Sequence, residues 1–554
     1  MNRRPFFFHL MFLMMLLTGV LGGCASVSSE PSVSSPVPLF EDFGDFHYPI
    51  STETPLVQQY FDQGMILSYA FNHAEAYRSF KEAARLDPNC AMCYWGQALV
   101  LGPNINAPMD NTMVPVAYEA IQKASLLPDG GSDKEQALIR ALIQRYAKEV
   151  VADRFPLDKA YADSMRRVWQ QYPDDSTVAS LFAESLMNMH PWNYWDKNGE
   201  AYVWTTEILS VLEEALAADP NHPLANHLYI HAVEASPEPE RGLPSAERLR
   251  TLVPGAGHLV HMPGHIYIRV GRYRDAIQAN QHATKADAGY LSHSHAEGIY
   301  PLAYVPHNHH FLWAAAIKLG MKNVSLETAE DTADHVNRTM LTDPGLGATL
   351  QHFAIIPLYT KALFGEWESI LQEPAPKLPY PKGVWHYARG LAYLRKGNIE
   401  QAQLELMALQ TVANDPQIAD LKVFGLNRVP RLLQIGAEIL AGELASSEQR
   451  VDEAVAHLQQ AIALEDGLTY TEPKDWYLPP RQVLGAVLLE AGRPEGAERV
   501  YRQDLKYHPQ NGWSLFGLRE SLKAQGKVHE AETVNSEFQT AWADADVTLT
   551  SSRF

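Results

Sequence analysis

The sequence predicts an all-α protein, a right-handed solenoid of about ten helix pairs running from residue 51 to residue 545. Three observations predict it. Small residues and helix-ending prolines recur at matched spacings along most of the chain. Pro220 and Pro254 stand 34 residues apart and frame one such unit. With 3 Cys in 554 residues there is no disulfide framework, so a large core must hold the fold.

The chain begins with Arg3 and Arg4, an apolar stretch from Phe6 to Leu21, and then Leu21-Gly22-Gly23-Cys24. A basic start, a short apolar core and small residues before a cleavage point describe a secretory signal. The apolar run is at the short end for a membrane span, which needs about 20 residues. Leu21 to Cys24 resembles the lipobox of bacterial lipoproteins. That resemblance implies removal of residues 1–23 and a lipidated Cys24 at the head of the mature chain. Ala25 in the next position looks like the pattern that sorts such proteins to the outer membrane of a two-membrane host. The expected location is therefore the cell envelope, lipid-anchored to the outer membrane and facing the periplasm. An ordinary signal peptide with a chance cysteine is the alternative. Residues 24–50 are rich in Ser, Pro and Val and read as a tether. No later stretch is long and apolar enough to span a bilayer, so the anchor is the expected membrane contact.

The chain carries 45 Lys+Arg against 65 Asp+Glu, a net charge of −20. Such a surface repels phosphate backbones, which argues against nucleic acid as a partner.

The clearest repeat runs Gly64, Ala76, Phe80, Ala83, Pro88. These spacings resemble the tetratricopeptide superfamily, whose period is about 34 residues. In that pattern small residues let antiparallel helices approach closely, and the proline ends the second helix. The next helix is predicted to begin at Ala91. Related copies fall at Gly271, Ala276 and Ala283, at Gly390, Tyr393, Gly397 and Ala402, and at Gly485, Leu488, Gly492, Ala497, Tyr501 and Pro509. Residues 546–554 form a C-terminal tail. The resemblance covers most of the mature chain and speaks to fold rather than to function. It implies a concave groove lined by the first helix of each pair, where such proteins bind partners.

What lies on that face is unusual. The frames set by Pro220 and Pro254 start first helices at Pro223 and Gly257. His227 and His231 lie four and eight residues into one; His261 and His265 lie four and eight into the other. Glu234 extends the first set by a turn, and His258 precedes the second. A third frame, starting at Pro306, places His307 and His310 at matching offsets; a fourth, starting at Gln351, does the same for His352. Glu184 falls in the same row, eight residues into a helix starting at Ser176. Residues three, four and seven apart share a helix face. Packed helices lie about 8–10 Å apart, and a His ligand sits about 2.0–2.1 Å from a metal. Two His on each of two neighbouring helices therefore reach a common ion, with Glu234, Glu184 or His310 completing or widening the shell; one ion and two ions both fit. Imidazole suits zinc, copper, iron or nickel better than magnesium or calcium. The same histidines would serve as a polar peptide-binding row. The HExxH signature is absent, since Glu234 follows His231 by three residues.

Cys90-Ala91-Met92-Cys93 reads as a structural disulfide, two packed thiols or a redox-active or metal-trafficking pair; Tyr94 excludes the haem-attachment motif CxxCH. The stretches Leu101 to Pro108 and Met189 to Trp195 interrupt the helical pattern and follow first helices. They read as long inter-helix loops packed by Trp, or as the walls of a pocket. The 286–301 segment, with His293, His295 and Glu297, reads as a solvated loop or a lid. No phosphate-binding glycine loop, nucleophile elbow or dinucleotide fingerprint stands out.

Two functions fit. One is a lipoprotein that binds a transition metal (zinc, copper or iron) through His227, His231, His261 and His265, with Glu234 as further ligand or general base and His258 and His310 as ligands or supports. The other is a scaffold that holds a protein or peptide in the concave groove.

Overall fold

The computed structural model describes residues 37–127, 131–294 and 296–554. The signal segment, Cys24 and the first part of the tether lie outside them. Pro38–Phe554 forms one compact unit. It is an α-solenoid of consecutive antiparallel helix pairs, with a single two-residue hairpin, Lys422–Val423 against Asn427–Arg428, among the described residues. None of the described helices is long and apolar enough to cross a membrane.

The repeat chemistry is visible at both ends. Helices Pro55–Tyr69 and His73–Leu86 pair, and Ala91–Leu101 opens the next unit where the spacing places it. Phe80, fully buried, wedges between them, so that a methyl group on Gly64 or on Gly96 would overlap its ring. Tyr501 repeats the device near the C-terminus against Gly485 and Gly517. Both trios have the same 16-residue spacing between glycine and ring. The small residues of the motif are thus the sockets for one large ring per repeat, close packing of the kind that fixes helix register. Local signals close the helix ends. Asp175 accepts the Val178 N–H at the start of Ser176–Met189, Ser132 and Glu135 form a capping box, and Gly271 turns the chain at φ 78°.

Cys90 and Cys93 are joined as a buried disulfide at the N-terminus of Ala91–Leu101, where the Cys90 sulfur also accepts the Cys93 N–H. The bond sits in the helix cap, at most 1% exposed at either cysteine.

Both ends of the fold extend past their expected limits. Residues 38–50, expected in the tether, pack on the helices. The Phe40 N–H donates to Gln63, the Gly255 N–H donates to the Asp42 carbonyl, and Phe46 packs edge-on against Tyr69 and His222. Tyr48 and Ile50 are buried. At the other end Ser552 is buried against Tyr501, and Arg553 pairs with Glu443 and Glu490.

The coil also closes on itself. Tyr290 donates to Glu75, Trp513 Nε1 donates to the Ile317 carbonyl, and Tyr470 donates to Glu234 across 236 residues of sequence. The inner face at the histidine repeats is therefore roofed by distant segments. The open groove expected there is instead interior.

Candidate metal centre

Four helical segments carry the site. Pro223–Glu234 starts at the predicted residue, capped by His222, whose Nδ1 accepts the Ala225 N–H. Gly257–His261 also starts where predicted, but Pro263 breaks it from Pro263–Arg269 after Met262. His261 and His265 thus sit on either side of a break. Val305–Lys318 follows a π-type turn at Tyr300–Tyr304 and carries His307 and His310.

The four predicted histidines come together, though not as one set of four. His227, His231 and His258 each offer a ligand atom within 4.8 Å of the others, and His261, His265 and His307 do the same. His231, Glu234 and His265 form a third such group between them. The two triads lie side by side: the rings of His231 and His265 are 5.4 Å apart, those of His258 and His261 5.5 Å. His227, His231, His258, His261 and His265 are at most 3% exposed, and His307 is half-buried.

Hydrogen bonding fixes which nitrogen of each ring is free. His227 Nδ1 lies 2.7 Å from the Tyr69 carbonyl, which can only accept. His231 Nδ1 and His265 Nδ1 each lie 2.6 Å from one oxygen of Glu234. His261 Nδ1 lies 2.8 Å from Asn280 Oδ1; Asn280 Nδ2 donates to the Ala276 carbonyl, so that amide is locked as an acceptor. All four rings therefore donate from Nδ1 and turn Nε2 to the interior. Nε2 of His227 and His231 has no protein partner, nor has either nitrogen of His258 or Nδ1 of His307. The Nε2 atoms of His261 and His265 face each other at 2.9 Å. Two ring nitrogens at that distance share a proton or a metal cation between them. Core histidines that serve only as packing satisfy their nitrogens; these aim them at one another.

Electrostatics agree. Burial, reinforced by neighbouring imidazoles, holds His227, His258, His261 and His307 well below the usual histidine range, which keeps the rings neutral and ligating. Burial alone would raise the Glu234 carboxyl, but His265 and the hydrogen bonds from His231 and His265 outweigh it and keep it ionised. Glu234 is fully buried and also accepts from Tyr470. With both oxygens on ring nitrogens it is placed to orient two imidazoles, and it also stands with them in the third group of possible ligands. Histidine ligands are commonly held this way.

Phenylalanine flanks each triad. Phe71 lies 4.7 Å from His227 and 5.4 Å from His258; Phe311 lies 4.4 Å from His261 and from His265. The two irregular loops meet above the cluster. Trp192 Nε1 donates to Asn106, Asn106 donates to the Tyr304 hydroxyl, and Trp192 stands 5.2 Å from the His231 ring. These loops are both packed by Trp and part of the wall.

Three predicted residues lie elsewhere. His310 stacks on Trp313 and faces His352 at 5.5 Å, while His352 Nδ1 pairs with the Tyr380 hydroxyl; this is a separate couple. Glu184 neighbours Arg145 and Asn188. On the Val305–Lys318 helix it is His307, and not His310, that joins His261 and His265. In the 286–301 segment His293 is exposed and held locally to Gly289, and His295 lies outside the described residues. Sequence reasoning missed Tyr69, Phe71, Asn280 and Tyr470. Asn280 carried the one available signal, an amide on the second helix of a histidine-bearing pair. The others come from segments more than 150 residues away in sequence.

No family model matches the chain, and no curated protein matches it. Solved helical-repeat structures do. The human IFIT1 dimer with m7Gppp-AAAA is 13% identical over 91% of this chain and 92% of that one, at a TM-score of 0.30. The APC/C hetero-tetramer Cut9-Hcn1 is 12% identical over 89% and 76%, at 0.29. The TPR domain of P58(IPK) is 12% identical over 86% and 99%, at 0.21. No ligand or residue role is carried over from them.

Proposed function

We propose that this chain is an exported, lipid-anchored tetratricopeptide-type solenoid that binds a transition metal inside its coil through a histidine cluster. One observation carries the reading: His227 and His231, each with Nδ1 on a fixed acceptor, turn unpartnered Nε2 atoms to the interior that also receives the mutually paired Nε2 atoms of His261 and His265. Neutral nitrogen donors of this kind suit zinc, copper or iron. The lipobox-like Leu21 to Cys24 and the Ser/Pro-rich segment behind it support a tether to the outer membrane, with the folded body in the periplasm. The net charge of −20 speaks against nucleic acid.

The test is metal content of the purified chain, with His227→Ala plus His261→Ala as comparison. Stoichiometric metal that the double variant loses, with helical content unchanged, supports the reading. Trace metal at the same level in both ends it.

The scaffold reading keeps one point in its favour, the solenoid architecture itself, which commonly binds proteins. Phe71, Trp192 and Tyr304 close the inner face at the histidines, so a protein or peptide partner would use another face. Co-purification of a protein at equal abundance with wild type and the double variant would support that second role.

A further inference from the structure

We infer that the cluster holds two metal ions side by side, three imidazoles on each, and that the pair is copper(I). The inference rests on the metal-binding reading and goes beyond it in number, ligand set and metal.

Geometry separates the ligands. His227, His231 and His258 gather their nitrogens within 4.8 Å, as do His261, His265 and His307. Ligands of one ion at about 2.0–2.1 Å are spaced about 3.5 Å apart, so small ring rotations close either triad on an ion. Six nitrogens spread over two triads do not close on one. The sets also repeat each other. Each combines an HxxxH pair with one histidine from the next first helix in the chain, and each has one phenylalanine at its side, Phe71 or Phe311. Glu234 stands between them, one oxygen on His231 and the other on His265, and so ties one ligand of each triad to a common support.

The donor set selects the metal. Each triad supplies three imidazole nitrogens, and each has a phenylalanine ring beside it, Phe71 or Phe311. Copper(I) is satisfied by three nitrogen ligands, whereas zinc on three histidines takes a fourth donor such as water.

The experiment is an anaerobic titration of the metal-free full-length chain with copper(I) against a competing chelator, with zinc in parallel, and elemental counting after desalting. Two copper ions per chain are expected, held at least tenfold more tightly than zinc. His258→Ala and His307→Ala should each leave one ion, and His310→Ala should leave two. One ion in the wild type would overturn the pair while sparing the metal-binding reading; none would overturn both. Two ions with zinc preferred would overturn the copper assignment. If the ligand variants fail to fold, copper-edge X-ray absorption of the loaded wild type decides. Three nitrogen neighbours and a copper scatterer support the pair, and absence of the metal scatterer overturns it.

Discussion

Glu234→Gln is the most informative single perturbation. The carboxylate accepts from His231 Nδ1 and His265 Nδ1 at 2.6 Å each and from the Tyr470 hydroxyl at 3.0 Å, with no exposure to solvent. An amide keeps one oxygen and replaces the other with a donor. One of the two histidines then meets N–H with N–H. It relieves the clash by moving its proton to Nε2, which points a hydrogen at the ion it should ligate. The substitution therefore weakens one site and spares the other. Loss of such an orienting partner costs roughly 10- to 100-fold in metal affinity, or about 1.4–2.8 kcal/mol. The metal-free fold also loses a charge-assisted hydrogen bond, each worth about 1.5–3 kcal/mol. Chelator competition should show two classes of site in the variant, and urea unfolding of the metal-free chain should show the stability loss. Unchanged affinity at both sites would refute the orienting role. Outright loss of one ion at saturating metal would instead make Glu234 a ligand.

Acidification should destabilise the metal-free chain as pH falls below about 6.5, where the unfolded chain takes up protons that the buried His227, His258, His261 and His307 refuse. Each contributes a slope of about 1.4 kcal/mol per pH unit there, so an acid-unfolding midpoint set only by carboxylates, near pH 4 or below, would count against neutral buried imidazoles. Saturating metal should move that midpoint to lower pH, because it binds the folded, deprotonated rings. Phe80→Ala should cost about 3–5 kcal/mol by emptying the socket between Gly64 and Gly96, with metal content unchanged; equal loss of metal and of fold at low denaturant would show the two to be inseparable. Cys24→Ser should release the protein from the membrane fraction, and persistent membrane association would remove the lipid anchor from the account.

The fold was readable because a solenoid repeats its local chemistry. Gly64 with Phe80 and Gly485 with Tyr501 announce the same packing unit hundreds of residues apart, and Pro220 and Pro254 set helix starts that the structure reproduces at Pro223 and Gly257. The histidines on that period were readable for the same reason. Their grouping was not. The two HxxxH pairs were expected on one ion, whereas the structure gathers each pair with a histidine of the next first helix. His307 stands at the same offset in its frame as His258 in its own, and each joins the histidine pair of the preceding first helix. Burial was out of reach because it comes from tertiary closure. Phe71, Trp192 and Tyr470 reach the cluster only when the coil completes its turn, and no local pattern encodes that. The packed segment of residues 38–50 was obscured by its Ser/Pro-rich neighbours, although Phe40, Phe46 and Tyr48 are the side chains that anchor it.

Elemental analysis of the chain purified from its own host asks the central question most directly. A whole-number content of one transition metal per chain, co-eluting with the protein and resistant to brief chelation, is what the buried imidazoles require. Protein that elutes free of bound metal, and takes none up on incubation with copper, zinc or iron at neutral pH, would contradict it.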